Sequence, residues 1–457
     1  MASFSRHVVT ASTFPETDRL LANRAILEAL QAGVPMRDSP ALGTLVRPSD
    51  TTEPFQRWFR YREGYTTELC RPFVDGADGL VVDPFCGFGS TLIAARNAGV
   101  ESLGMDVSPL AVFVSRVKTR RYDRPAKHAI TVAMKRIESL TSRSNRAIPP
   151  TIKILPKLFH PDILDALMVF RHAIDALEHA ASRNFALLAW IAILEGVSNV
   201  YREGNGLKYR NRIRRGNDYS TVPYEHWQAG RFPVDKFAYV REKLLVQLQI
   251  MFEDVEANPR KLQPRIKNAD AKTSSLHVGR GSASLALFSP PYCNCFNYIK
   301  AYKLELWMAG FIRTYPDIRT LTARGLRSRL ESLNNPITDS YPAVVEQLAT
   351  VMATGELWSP HLPDVIRGYF ADMQLALRDI KKILRRGGRC VIVVGNSAYG
   401  GTLIPSDLIL AHIGEQAGFK IEDIAVARHL TTSSQQKRTL APIKEYLRES
   451  VVVLRRR

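Results

Sequence analysis

The hydrophobic pattern divides the chain into three rhythms. Near the start, "ETDRLLANRAILEALQAG" (16–33) sets apolar residues at helical spacing and ends at a glycine, which predicts one amphipathic helix. Residues 79–98 then read as an apolar strand, a glycine-rich turn and a helix, and "VESLGMDVSPLAVFVSRVKTR" (100–120) reads as a second strand, an acidic turn and a second helix. Two βα units in series predict a parallel sheet. From about 126 to 260 the period turns helical, in "PDILDALMVFRHAIDALEHAA", "NFALLAWIAILEGVSNV" and "PVDKFAYVREKLLVQLQIMFEDVEA". The polar stretch "REGNGLKYRNRIRRGNDY" (202–219) reads as a loop interrupting those helices.

After 262 the βα rhythm returns. "SLALFSPPY" (284–292) is a strand running into a rigid turn, and residues 371–397 read as a helix, a double-glycine stop and a buried strand. "GFKIEDIAVARHL" (418–430) and "LRESVVVLRRR" (447–457) predict two final antiparallel strands around a polar loop, with the last arginines as a frayed tail. The expected fold is therefore α/β: a mostly parallel sheet with a C-terminal antiparallel hairpin, split by a helical insertion. The expected division is a helical extension at 1–50, core at 51–125, helical insertion at 126–260, and core again at 261–457.

Composition narrows the class. With 457 residues and 45% hydrophobic content the chain can bury a large core. Lys and Arg outnumber Asp and Glu by 63 to 44, a net charge of +19 that points to a polyanionic partner, most often nucleic acid. The five cysteines are scattered, and Cys293 and Cys295 without a second pair are not a zinc framework. Nothing suggests disulfides or a signal peptide, which fits a reducing cytoplasm. "FALLAWIAIL" (185–194) is too short to span a bilayer and reads as a buried helix, so no membrane partner is expected.

The chemistry concentrates in "LVVDPFCGFGSTLIAARNAG" (80–99). A triphosphate-binding loop would carry GxxxxGK[ST], and no lysine is present; a dinucleotide loop would open the helix with a third glycine, and that is missing. Asp83 at the strand end would also repel a pyrophosphate. A cation reverses the argument. S-adenosylmethionine carries a sulfonium and an ammonium, so Asp83 can take the ammonium, and Asp106 at the end of the next strand can accept the ribose hydroxyls. Gly87 and Gly89 let the backbone approach closely. "DVSP" is also good helix-capping chemistry, so Asp106 has a plain structural alternative.

The second site is Ser289-Pro290-Pro291-Tyr292. Two prolines stiffen the turn. A serine hydroxyl and a fixed backbone carbonyl can then accept both hydrogens of an exocyclic base amine and localise its lone pair for attack on a methyl group. Tyr292 offers a flat face for an extruded base.

These motifs resemble those of the DNA amino-methyltransferases: a DPF-x-GxGS/T cofactor loop and an (S/D/N)PP(Y/F) catalytic loop. The resemblance implies a Rossmann-like methyltransferase fold, S-adenosyl-L-methionine as cofactor, and double-stranded DNA as partner, with base flipping. It implies that Asp83, Pro84, Phe85, Cys86, Gly87, Gly89, Ser90 and Thr91 line the methionine end, that Asp106 with Val107 holds the ribose, and that Ser289, Pro290, Pro291 and Tyr292 engage the amine. Asp270, in "NADAKTSS" (268–275), matches the acid that bonds the adenine amine. "FRYREGYTTELC" (59–70) is similar to the segment that closes over the methionine moiety, and "LRRGGRCVIVVGNS" to a later core strand. The motif order is alpha-like, except that the insertion enters before the Asp270 segment.

In this family Ser289 leans toward N4 of cytosine, with N6 of adenine as the alternative. An RNA base or a protein glutamine is a further alternative; a silent nucleic-acid-binding protein is another. C5 chemistry would need a Pro-Cys nucleophile, which the chain lacks. The family also places a companion restriction endonuclease or defence proteins among the candidate partners, in a prokaryotic cytoplasm.

Lesser features complete the reading. Lys208, Arg210, Arg212, Arg214 and Arg215 could track DNA phosphates. Phe296, Tyr298 and Tyr302 are either base-pocket or core aromatics. "TTSSQQKR" (431–438) reads as a polar hairpin tip, and His160 and His172 as structural or surface residues.

Overall fold

The computed structural model describes residues 16–46, 52–59, 64–203, 206–215, 218–229, 231–258, 262–333, 337, 339–431 and 438–457. They form two compact units. In chain order the main elements begin with α1 (Glu16–Gln31), β1 (Met36–Asp38), α2 (Thr67–Val74), β2 (Leu80–Asp83), α3 (Ser90–Ala98), β3 (Ser102–Asp106) and α4 (Pro109–Thr119). The insertion brings α5 (Arg124–Glu138), α6 (Pro161–Asp175), α7 (Ala180–Ile193) and α8 (Lys236–Ala257). There follow β4 (Arg265–Asn268), β5 (Ala283–Phe288), α9 (Leu362–Ile383), β6 (Leu384–Gly395), α10 (Ser406–Gln416), β7 (Phe419–His429) and β8 (Arg448–Arg456).

One unit, the glycine-loop unit, comprises Arg47–Asp270 and Asn297–Arg324. Three of its strands pair in parallel, with β3 between β2 and β4; Asp83 pairs with Gly104, and Asp106 with Asn268. Helix α3 is bounded by glycines in the left-handed region, Gly89 and Gly99, and α4 is capped by Ser108, whose Oγ accepts from Ala111 N. Helix α7 contains most of the apolar window 185–194 and is buried along most of its length. Helix α8 buries Val240, Leu244, Leu248, Met251 and Val255, one stripe at four- and three-residue steps.

Residues 202–219 depart from the expected loop. Val200–Glu203 pairs with Gly206–Tyr209, and Arg212–Arg215 with Asp218–Thr221, as two antiparallel hairpins. Asn199 and Asn211 join them, since Asn199 Nδ2 donates to Asn211 Oδ1 at 3.1 Å and Asn211 Nδ2 to Val222 O at 3.0 Å. These side-chain amides satisfy backbone groups that a loop would leave to water.

Helix α8 also fastens the segment ahead of the glycine loop. Asp254, 3% exposed, accepts from Phe55 N at 2.9 Å, Trp58 Nε1 at 2.8 Å and Arg57 NH2 at 2.5 Å. Removing this acceptor strands several donors at once. Asp254→Ala should therefore destabilise the protein by about 3 kcal/mol, read as a shift in the urea midpoint at unchanged slope.

The other unit, the SPPY unit, comprises Met1–Val46, Ala271–Phe296 and Gly325–Arg457. Strand β5 runs parallel to β6, β8 lies antiparallel between β6 and β7, and β1 adds parallel to β7 at the edge. The apolar runs "VIVV" and "VVVL" are buried on both faces, as central strands require. Two expectations shift here. The double glycine does not stop the helix: α9 ends at Ile383, and Gly387 (φ 74°) lies inside β6, where the register with β5 slips between Leu384 and Arg389. The terminal arginines are not frayed, for β8 extends through Arg456, and Arg455 donates to Gly387 O at 2.9 Å.

The architecture is α/β, of the Rossmann-like methyltransferase type: mostly parallel strands with connecting helices and a C-terminal antiparallel hairpin. No described helix is long and apolar enough to cross a membrane.

Candidate active site

Strand polarity brings three acids to one end of the glycine-loop unit. Asp83 and Asp106 close β2 and β3, and Asp270 follows β4 by two residues. Because these strands are parallel neighbours, all three stand at their carboxyl ends, where α/β sheets open to ligands. Asp270 is half-buried. Asn268 Nδ2 donates to Asp106 O at 2.9 Å and Val107 O at 3.0 Å, tying the end of β4 to the acidic turn.

Asp83 is 1% exposed. Its Oδ1 accepts from Phe85 N at 3.0 Å, and Tyr65 OH donates to its Oδ2 at 3.4 Å while sharing a 2.5 Å hydrogen bond with Thr91 Oγ1. Burial pushes its carboxyl up to about 7, against the opposing hydrogen bonds. Asp106 accepts from Gly87 N at 3.0 Å and Ser108 N at 2.8 Å, and burial pushes it up to about 6. Neither acid forms an ion pair with Lys, Arg or His among the described residues. A buried and a half-buried carboxyl without a cation fit a positively charged ligand. The cap of α4 is Ser108, so Asp106 is not needed for that structural role.

The loop between them is held from below. Gly87 (φ 46°) and Gly89 (φ 91°) take left-handed conformations that other residues resist. Ser115 Oγ donates to Gly87 O at 2.7 Å, and a Cβ on Gly89 would lie 3.2 Å from that hydroxyl. Cys86 N donates to Met105 O at 2.8 Å, and Ser90 Oγ to Tyr65 O at 2.7 Å. Pro84 and Cys86 are buried, Phe85, Ser90 and Val107 half-buried, and Thr91 fully buried.

Residues that sequence reasoning passed over complete this floor. Lys118, 2% exposed, donates to Phe59 O at 2.8 Å and Gln56 O at 3.2 Å, and burial lowers its ammonium to about 7. Phe88 packs on Phe59 and edge-on to Tyr302, with centroids 5.0 and 5.3 Å apart. Tyr302 is therefore a core aromatic of this unit. The Arg202 guanidinium covers its ring at 4.5 Å and binds Glu195 and Glu305. Arg202 thus faces inward, whereas Lys208 and Arg212 are exposed and Arg210 half-buried with its guanidinium 5.4 Å over Tyr201. The side chains of Arg214 and Arg215 lie outside the described residues, as do 60–63 and 432–437 of the two polar segments singled out above.

The SPPY turn belongs to the other unit. Ser289, Pro291 and Tyr292 are half-buried and Pro290 is buried. Tyr292 OH donates to Glu449 Oε1 at 2.5 Å, and Arg428 Nε holds the other oxygen at 2.7 Å. The Tyr292 ring rests on Gly395, where a Cβ would come within 2.8 Å of Cε2. Tyr399 OH donates to Cys293 O at 2.8 Å, fixing the chain just beyond. The ring is thus clamped at both its edge and its hydroxyl. Phe296 and Tyr298 are half-buried. His160 Nδ1 accepts from Asp162 N at 3.1 Å, a helix-capping bond that accounts for that residue.

Against known proteins, the chain has relatives. The chain is 23% identical over 434 residues to the Type II methyltransferase M.BsoBI of Geobacillus stearothermophilus, covering 85% of this chain and 83% of the relative. The similarity runs to Type II methyltransferases. M.AvaI of Nostoc sp. matches at 23% over 465 residues, 95% of this chain and 93% of its own. M.MjaII of Methanocaldococcus jannaschii shares 39% over a 44-residue stretch, 10% of this chain. No protein-family profile matches the chain.

The electrostatics give a pH dependence. Both acids have folded pKa values above the ordinary 3.8, so both hold protons that a cationic ligand must expel. Affinity for such a ligand should rise with pH through 6 and 7 and level off above, by about tenfold per proton released per unit. Calorimetry in two buffers of different ionisation enthalpy reads the proton release directly. Lys118 titrates in the same range, and Asp83→Asn separates them by removing only the Asp83 component.

Proposed function

We propose that this protein is a site-specific DNA amino-methyltransferase that moves a methyl group from S-adenosylmethionine to an exocyclic base amine, favouring N4 of cytosine. The observation that carries the reading is the buried carboxyl of Asp83 and the half-buried one of Asp106, both left without a cation beside a left-handed glycine loop. When bound, S-adenosylmethionine supplies the electrophilic methyl. Asp83 would hold its ammonium, Asp106 and Val107 its ribose, and Asp270 its adenine amine.

The catalytic half of the proposal rests on the SPPY turn. The Ser289 hydroxyl and a proline carbonyl of the turn accept the two hydrogens of the amine, which localises its lone pair. The clamped ring of Tyr292 provides the stacking face for a flipped base. Catalysis is then positioning without a covalent intermediate. Relatives described as Type II methyltransferases support DNA as substrate, as does the net charge of +19. The basic hairpins at 200–221 are candidate phosphate contacts.

The test is transfer of label from S-adenosylmethionine to unmethylated duplex DNA, followed by digestion to nucleosides. Labelled N4-methylcytosine is the expected product. N6-methyladenine would keep the mechanism and overturn the choice of base. Label in RNA or protein with none in DNA would overturn the substrate.

A further inference from the structure

The glycine-loop unit contains a second cavity, of about 670 Å³, that the proposed reaction does not use. It lies between α4 and β4, and its lining includes none of Asp83, Gly87, Asp106 or Asp270. Arg116, Arg120, Arg265 and Lys267 line it, and no acid does. None of these four cations forms an ion pair among the described residues; Arg116 NH2 donates only to a backbone oxygen, that of Ile266, at 2.8 Å. The Arg120 Nε is buried without a hydrogen-bond acceptor. An unsatisfied buried guanidinium N–H is costly unless an anion or water meets it. Phe113 and Phe311, which also line it, meet at 5.6 Å between centroids and form one aromatic wall.

Four unpaired cations, an orphaned guanidinium nitrogen and an aromatic wall call for an anion that carries a flat ring. The volume is that of a small-molecule site. We propose that this cavity binds a nucleoside phosphate, its phosphate on Arg120 and the 265–267 cations and its base against Phe113 and Phe311. Guanidinium groups suit phosphate oxygens, and every base has a face to stack. The nucleotide can be free in solution or part of a nucleic-acid strand. Asn268 also lines the cavity and its amide holds the Asp106 turn, so an occupant would sit one side chain from the proposed ribose contact.

The experiment uses the full chain saturated with sinefungin, so that the proposed cofactor site is filled. Titration with CTP, and separately with inorganic phosphate, is followed by calorimetry, and duplex DNA binding by anisotropy. CTP should bind more tightly than phosphate, and Arg120→Gln and Lys267→Gln should each weaken it about tenfold, the loss of one charge-assisted contact. Sinefungin affinity and melting temperature should be unchanged in both variants. If CTP does not bind but both variants weaken duplex DNA about tenfold, the nucleotide is one of the DNA strand, and the site stands. CTP that binds only when sinefungin is omitted, or binding of CTP and DNA indifferent to both variants, would overturn the proposal. These outcomes do not depend on methyl transfer, so the failure of the proposed function and of this site are distinguishable.

Discussion

Asp83→Ala should lower the affinity for S-adenosylmethionine by about a hundredfold or more, the loss of a buried charge pair of about 3 kcal/mol. The same change should leave the fold intact. Asp83 sits 1% exposed with its carboxyl pushed up to about 7, so in the free protein its ionised form is a burden on stability rather than a support. The hydrogen bond from Phe85 N can be kept by the asparagine carbonyl, and Tyr65 OH, which faces the other oxygen, can accept from the amide NH2 while donating to Thr91 Oγ1. Asp83→Asn should therefore melt at or above the wild-type temperature while losing nearly as much affinity as alanine. The opposed signs are the test, read by calorimetry and thermal unfolding on the same preparations. A variant that unfolds and binds weakly would make Asp83 a structural acid; one that binds normally would end the cation reading of the loop.

That the loop could be read from sequence follows from its physics being local. A glycine at φ 91° beside an acid at a strand end leaves its mark in consecutive residues. The acids Asp83 and Asp106 could be singled out for the same reason, each closing a largely apolar run, whereas Asp270 follows the polar stretch 265–269 and was singled out only by the resemblance. What holds these residues was not legible. Asp254 reaches Trp58 across 196 positions, and Glu449 reaches Tyr292 across 157, and no spacing rule pairs residues so far apart. Nothing in the sequence marks Lys118, which is buried and donates to Phe59 O. The hairpins at 200–221 were hidden by their charge: arginines obscured the strand alternation, although Asn205-Gly206 and Gly216-Asn217 are turn-forming pairs. Strand β1 has three residues, too few to show a period, and exists because the edge of β7 offers it hydrogen bonds.

Ser289→Ala should separate chemistry from binding. If the hydroxyl accepts a hydrogen from the target amine, its loss should lower kcat by about 100- to 1000-fold, in the range of a removed transition-state contact. The KM for S-adenosylmethionine should stay within about twofold, since only an interaction tightened in the transition state is lost. Gly395→Ala gives an independent handle on the same turn. Its new Cβ would come 2.8 Å from Tyr292 Cε2, while the Tyr292 hydroxyl stays tethered to Glu449 and Glu449 to Arg428. A ring held at its tip and pushed at its edge must tilt. Single-turnover rates should then fall at least about tenfold, as a displaced stacking face misplaces the amine. A normal rate in Gly395→Ala would show that the tyrosine face does not position the base. A normal rate in Ser289→Ala would overturn the serine as acceptor and leave that role to the proline carbonyls or to the Tyr292 oxygen, which donates its proton to Glu449 and keeps its lone pairs.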